Sequence, residues 1–205
     1  MKKKEVHNYV RAYEFLRDQI LSGRIDSSIK LTETKLAEQL QISRTPVRSA
    51  ITKLEEEGLI KNKHVYVPTE ADIRHIFQVR SILEGFAANY CAEFISESTL
   101  QKLADCIETG LHGSNEEQLH ANYLFHQLII EETHNPEITK IINRMQSIIN
   151  LLRTTVTLQR RPHLVEEHQE IFEAIQANDG NLAEDLIQKH LEKDLEFSIG
   201  RLAVL

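Results

Sequence analysis

The chain reads as a mainly α protein, with an N-terminal winged helix-turn-helix followed by a C-terminal antiparallel all-α helical bundle. Three observations predict this. Two short amphipathic segments flank a tight connection at Gln41-Ile42. After Pro68, apolar residues recur at helical spacing while glycine and proline are confined to a few breaks. The charge also changes sign: residues 1–69 carry 13 Lys and Arg against 9 Asp and Glu, a net +4, and residues 70–205 carry 11 against 22, a net −11. A basic module on an acidic body draws phosphate to one end only. With 205 residues and 41% hydrophobic content the chain holds one or two packed domains. The charge step favours two, divided as 1–69 and 70–205.

In the first part, a helix over roughly Val6–Ser22 offers Tyr9, Val10, Tyr13, Leu16, Ile20 and Leu21 as its apolar face, and Gly23 stops it. Lys2-Lys3-Lys4 reads as a frayed terminus with weak phosphate contacts at most. Thr32 then caps a short helix with Leu36, Ala37 and Leu40 on one side. Ser43 can cap the next helix, in which Pro46 is tolerated because first-turn amides need no intrahelical partner. Val47, Ala50, Ile51 and Leu54 repeat at helical period until Gly58 ends it. Arg44 and Arg48, at i and i+4, present two forked donors on one face, the geometry that pairs with guanine or clamps phosphates in a major groove. Weak alternation over Leu59–Val67 predicts a small two-stranded wing.

On these blocks the chain resembles the GntR family of bacterial transcription regulators. The resemblance is carried by Ile20-Leu21-Ser22-Gly23-Arg24-Ile25, Lys30-Leu31-Thr32-Glu33, Leu36-Ala37-Glu38-Gln39-Leu40, Ser43-Arg44-Thr45-Pro46-Val47-Arg48 and Leu54-Glu55-Glu56-Glu57-Gly58-Leu59-Ile60. It implies double-stranded operator DNA as partner, met by Thr32, Thr34, Ser43, Arg44, Thr45, Pro46 and Arg48 from the two helix starts and by Lys63 and His64 from the wing. Wings in the family usually carry a glycine at the tip, and this one has none.

No run of eighteen apolar residues and no signal-like apolar core occurs, so the expected location is the cytoplasm. Cys91 and Cys106 lack metal-site spacing and read as small core residues without a disulfide.

Beyond Pro68 a cap signal at Thr69-Glu70-Ala71-Asp72 opens a helix bearing Ile73, Ile76, Phe77, Leu83, Phe86, Ala87 and Tyr90. Further helices are expected over about 98–111, 115–133, 136–159, 162–177 and 181–202, separated by breakers such as His134-Asn135-Pro136 and Asn178-Asp179-Gly180. An antiparallel bundle is their natural packing. Asn122 and His126 lie at i and i+4 beside Leu119, Phe125 and Ile129, so both can project from one helix face. His168 lies eleven residues before Asp179 and His190 eleven after it. If antiparallel helices flank that turn, equal chain distances put both rings at one height. Three imidazoles and an amide oxygen would suit a divalent ion, Zn with Ni or Mn as alternatives, although each histidine taken singly reads as an ordinary core or surface residue.

Here the second part resembles the FCD ligand-binding domain of the FadR-like branch of that family, through Val79-Arg80-Ser81-Ile82-Leu83-Glu84, Asn122-Tyr123-Leu124-Phe125-His126, and Glu166-Glu167-His168-Gln169-Glu170-Ile171 with Ala183 and His190-Leu191. The resemblance implies that Asn122, His126, His168 and His190 hold a metal, with Asn122 standing where aspartate is usual. Arg80 falls on the apolar stripe, where a guanidinium needs an anion. Either Glu84 supplies it or, as the resemblance implies, a small carboxylate effector does, with Arg153 a second candidate for the same task. The expected protein is thus a homodimeric repressor on a palindromic operator, controlled by an organic acid at a metal-centred pocket, and not an enzyme. The rivals are a hydrolase-like metal domain and a helical domain that only dimerises.

Overall fold

The computed structural model describes residues 2–155 and 161–202, and the side chains of 6–149, 151 and 161–200. Among the described residues nine helices surround one two-stranded sheet: α1 Lys2–Leu21, α2 Glu33–Leu40, α3 Arg44–Glu56, β1 Ile60–Lys61, β2 His64–Val65, α4 Glu70–Phe94, α5 Glu97–His112, α6 Asn115–Glu132, α7 Pro136–Thr155, α8 Leu164–Gln176 and α9 Gly180–Leu202. They form two compact units. One holds the residues up to Thr69 with those of α7 from Asn143; the other runs from Glu70 to Ile142 and resumes in the residues before α8.

In the first unit α1 lies on α3, and Ala12, Leu16 and Ile20 of α1 meet Val47, Ala50, Ile51 and Leu54 in one core, which Leu36, Ala37 and Leu40 of α2 complete. The turn between α2 and α3 is built without glycine. Gln41 takes a left-handed conformation, and the amides of Gln41 and Ile42 return to the carbonyls of Glu38 and Ala37 at 3.2 and 3.1 Å. The same motif ends α3, where Gly58 is left-handed and Leu59 donates to the Leu54 carbonyl at 2.9 Å. Tyr13 ties α1 to that corner, its hydroxyl 3.0 Å from both Glu57 carboxylate oxygens.

The wing is shorter than the alternation of Leu59–Val67 implied. Ile60 pairs with Val65 and Lys61 with His64, and Asn62 and Lys63 form the loop with φ of 54° and 62°. Two left-handed residues in a two-residue loop are what a tight hairpin needs, so the turn dispenses with glycine at some conformational cost. The Leu31 amide donating to the Lys63 carbonyl at 2.8 Å holds the tip down.

In the second unit α4 packs along α9, α5 along α6, and α8 against α5 and α9, as an antiparallel bundle requires. Its core contains Ala87, Ala88, Cys91, Leu103, Phe125, Ile129, Ile171, Ile175 and Ile187. Cys91 and Cys106 are free and buried. The α8–α9 corner is another left-handed turn at Asn178, and Asp179 Oδ1 accepts the Leu182 amide at 3.0 Å to start α9.

Gly58 is the most constrained of these corners. A Cβ there would sit 3.0 Å from Ile148 Cδ1 in addition to bearing a φ of +78°, whereas Gly23, at φ +68°, faces open space. Gly58→Ala should lower stability by about 1–2 kcal/mol from backbone strain alone, and Gly23→Ala by no more than that. Urea unfolding of the two variants checks the order.

Candidate DNA-reading face and candidate metal centre

The first unit brings the α2 and α3 starts together. Thr32 and Ser43 occupy the N-cap positions of α2 and α3 with extended backbones, though neither side chain accepts a capping hydrogen bond. Ser43, Arg44, Thr45 and Arg48 are exposed, as is Thr34, while Pro46 is buried and shapes the helix start from inside. Arg44 and Arg48 share one acceptor. Glu33, at the first position of α2, takes Arg48 Nη2 at 2.8 Å and Nε at 3.1 Å, and Arg44 Nη2 at 3.5 Å. This contact spans the turn and could not be read from helical spacing within either helix. In the wing Lys63 is exposed and His64 is half-buried, with Nδ1 2.9 Å from the Asn62 carbonyl.

The second unit brings His126, His168 and His190 to one buried point, from α6, α8 and α9. Their ring centroids lie 4.8–5.2 Å apart, and their ligand-type atoms all fall within 4.8 Å of one another. Asn122, one turn before His126, is also buried. Phe125 stacks on His168 at 4.1 Å and 8°, fixing that ring's plane. The equal spacing about Asp179 thus does put His168 and His190 level.

Two parallel relays orient these rings. In the first, Arg80 Nε donates to Glu84 Oε1 at 2.6 Å, and Glu84 Oε2 lies 2.7 Å from His126 Nδ1. In the second, Arg161 Nη1 donates to Glu167 Oε1 at 3.0 Å, and Glu167 Oε2 lies 2.8 Å from His190 Nδ1. Arg161 Nε also reaches Asp194 at 2.7 Å, and Lys193 reaches Glu167 at 2.9 Å. Burial alone would lift the Glu84 carboxyl, but Arg80 and His126 outweigh it and hold it at about 2. Glu167 is likewise held well below the usual carboxylate range, burial being overcome by His190, Arg161 and Lys193. Ionised carboxylates only accept, so the hydrogen on His126 is assigned to Nδ1; His190 Nδ1 stands between Glu167 Oε2 at 2.8 Å and the Arg161 Nη2 donor at 3.0 Å, and carries its hydrogen when Glu167 is its partner. Arg80 is therefore engaged by Glu84, the intrahelical alternative, and is buried with its guanidinium 5.1 Å from the Phe77 ring centre. The Arg153 side chain lies outside the described residues.

That assignment leaves both Nε2 atoms as lone pairs, yet they face each other across 3.1 Å. Burial pushes the His126 imidazole towards its neutral form, which disfavours an imidazolium on that side of the contact, and burial holds His168 neutral as well. Two further acceptor-capable atoms, His168 Nε2 and Asn122 Oδ1, are buried with no hydrogen-bond partner. Three imidazoles converging, with the orphaned Asn122 oxygen buried one turn before His126 on α6, fit a divalent cation such as Zn or a neighbouring first-row ion. Sequence reasoning missed Glu167, Arg161 and Asp194. Asp194 stands at i+4 from His190, and Glu167 falls on the stripe of Leu164, His168 and Ile171, a charge where an apolar residue belongs. Arg161 carried no such signal.

Comparison with known proteins agrees with both halves. Residues 8–65 match the model of the bacterial regulatory proteins of the gntR family, and residues 75–193 match that of the FCD domain. The chain is 26% identical over 200 residues to the HTH-type transcriptional regulator YdhC of Bacillus subtilis, covering 92% of this chain and 89% of the relative. It is 27% identical to a gluconate operon transcriptional repressor of Bacillus licheniformis, covering 80% and 69%, and 26% identical to the transcriptional repressor RspR of Escherichia coli K12, covering 88% and 84%. In fold it is similar to E. coli McbR/YncC, with a TM-score of 0.76 at 19% identity over 95% of this chain and 98% of that one. A putative GntR regulator from Rhodococcus sp. RHA1 follows, at TM-score 0.72 and 23% identity over 94% and 97%. These families and relatives are transcription regulators rather than enzymes. The chain belongs to the GntR family of bacterial transcription regulators, with an FCD domain as its C-terminal part.

Proposed function

We propose that this regulator, of the FadR-like branch, is a repressor that binds a palindromic operator as a homodimer and releases it when a small carboxylate occupies a metal-centred pocket in the FCD domain. The observation that carries the sensing half is the pair of facing Nε2 lone pairs with two orphaned acceptors beside them. His126, His168, His190 and Asn122 would hold the ion, and a bound divalent ion would supply a fixed positive charge that attracts an anionic ligand. All four donors are neutral, so nothing in that set cancels the ion's charge, which favours an organic acid as effector. Relatives named as repressors support the sign of regulation. No helix among the described residues is long and apolar enough to cross a membrane. We place the functional boundary near Thr69, with the reading head before it and the sensor after it. An effector shifts operator affinity only by its differential affinity for the two states of the protein.

The reading half rests on the exposed forks of Arg44 and Arg48, with Thr32, Thr34, Ser43 and Thr45 beside them and Lys63 and His64 at the wing. Arg48→Ala or Arg44→Ala should weaken specific operator binding by roughly 5–150-fold if that residue reads a base, with a smaller loss on non-specific DNA. Fluorescence anisotropy with both kinds of duplex measures this; equal losses on both duplexes would reassign the arginine to backbone contact.

For the sensor, the triple variant His126→Ala, His168→Ala and His190→Ala should carry no bound metal by elemental analysis, and undiminished metal content would sink the site. Glu84→Gln, which keeps the shape but frees the His126 tautomer, should reduce metal affinity by about 10–100-fold in calorimetric titration.

A further inference from the structure

Helix α4 buries one side in the second unit and leaves another open. Val79, Ile82, Phe86 and Phe94 are 37, 68, 51 and 54% exposed on it, and Phe86, Tyr90 and Phe94 form a ladder of rings 6.3 and 4.6 Å apart. At 100° per residue, positions 75, 78, 79, 82, 86, 89 and 93 fall within one narrow arc. Between His75 and Glu93 that arc holds Gln78, Val79, Ile82 and Phe86, with Asn89 half-buried at its edge and donating to Glu184 of α9 at 3.1 Å; none of the arc's own residues between its two ends is charged over about 27 Å of helix. An uncharged apolar stripe of that length, with a base at one end and an acid at the other, is not an ordinary solvated face.

We propose that this face of α4 receives α4 of a second copy of the chain, antiparallel, about a twofold axis at the level of residue 84. The register is set by the residues themselves. Reflection about position 84 sets His75 level with Glu93 and Ile82 level with Phe86, all close to the centre line of the arc, so the one base meets the one acid and the largest apolar groups meet each other. A parallel pairing would set Glu93 against Glu93 and His75 against His75. An isologous patch must be complementary to itself, and only the antiparallel arrangement makes it so. The proposal rests on the homodimer reading above and names the surface that makes it.

The test uses the full chain with its metal as purified. Light scattering of the wild type should give twice the chain mass, and Ile82→Glu should give one chain mass while keeping its far-UV circular dichroism and its metal. A second pair of variants probes register without touching the apolar residues. His75→Glu, which sets two acids together, should raise the dimer Kd on the order of tenfold or more, and adding Glu93→Lys to the same chain should restore it. A wild-type monomer would overturn the dimer reading itself. A dimeric Ile82→Glu, or no rescue in the double variant, would overturn this surface and leave the dimer reading standing.

Discussion

Buried imidazole lone pairs cannot be packed against one another unless something positive stands between them or a proton is shared, and burial works against the proton. Much of the second unit is arranged around that constraint. Glu84 and Glu167 each draw the Nδ1 hydrogen of one histidine outwards, which turns the Nε2 atoms inwards and together. Each carboxylate needs a cation of its own to remain ionised while buried, and Arg80 and Arg161 supply it. Removing either arginine would leave an uncompensated buried charge, so the relays are tied to the integrity of the bundle as well as to the centre. The ring of His168 has no carboxylate relay and is held by stacking on Phe125 instead.

The asparagine at position 122 alters the electrostatics of this arrangement. Three buried carboxylates, Glu84, Glu167 and Asp194, already stand behind the histidines, held by Arg80, Arg161 and Lys193, and an aspartate at 122 would have added a negative charge among the donors themselves. With Asn122 the donor set is neutral, and any divalent ion there keeps its full charge for an external ligand. This supports the proposed anionic effector without calling on Arg80, whose guanidinium already anchors Glu84.

In the first unit the corresponding economy is Glu33. Two exposed arginines on a helix start would repel each other and wander through many rotamers; a shared carboxylate from the preceding helix restrains both forks. Such pairs are weak in water and are lost at little cost, which suits the proposed role of these arginines, where one acceptor would be exchanged for another on DNA. The tight wing, closed by two left-handed non-glycine residues and pinned by Leu31, adds Lys63 at the edge of the same unit.

The elements were legible in the sequence because they depend on local rules. Apolar period, cap residues and breakers located the nine helices of the described residues to within a few residues, and the symmetric spacing about Asp179 put His168 and His190 at one height, since a helix has a fixed rise. The family blocks pointed to the candidate reading head and to four candidate donors for the same reason, each block being a short run with its own chemistry. What the sequence by itself could not determine were pairings between segments distant along the chain. Glu84 with His126 and Glu33 with Arg48 join residues from different helices, and Arg161, in the segment before α8, reaches Glu167 of α8 and Asp194 of α9; no periodicity within one helix records such a neighbour. Arg80 shows the limit most clearly: its position on an apolar stripe demanded an anion, and only packing, which buries Glu84 beside it and turns the second carboxylate oxygen to His126, decided which one.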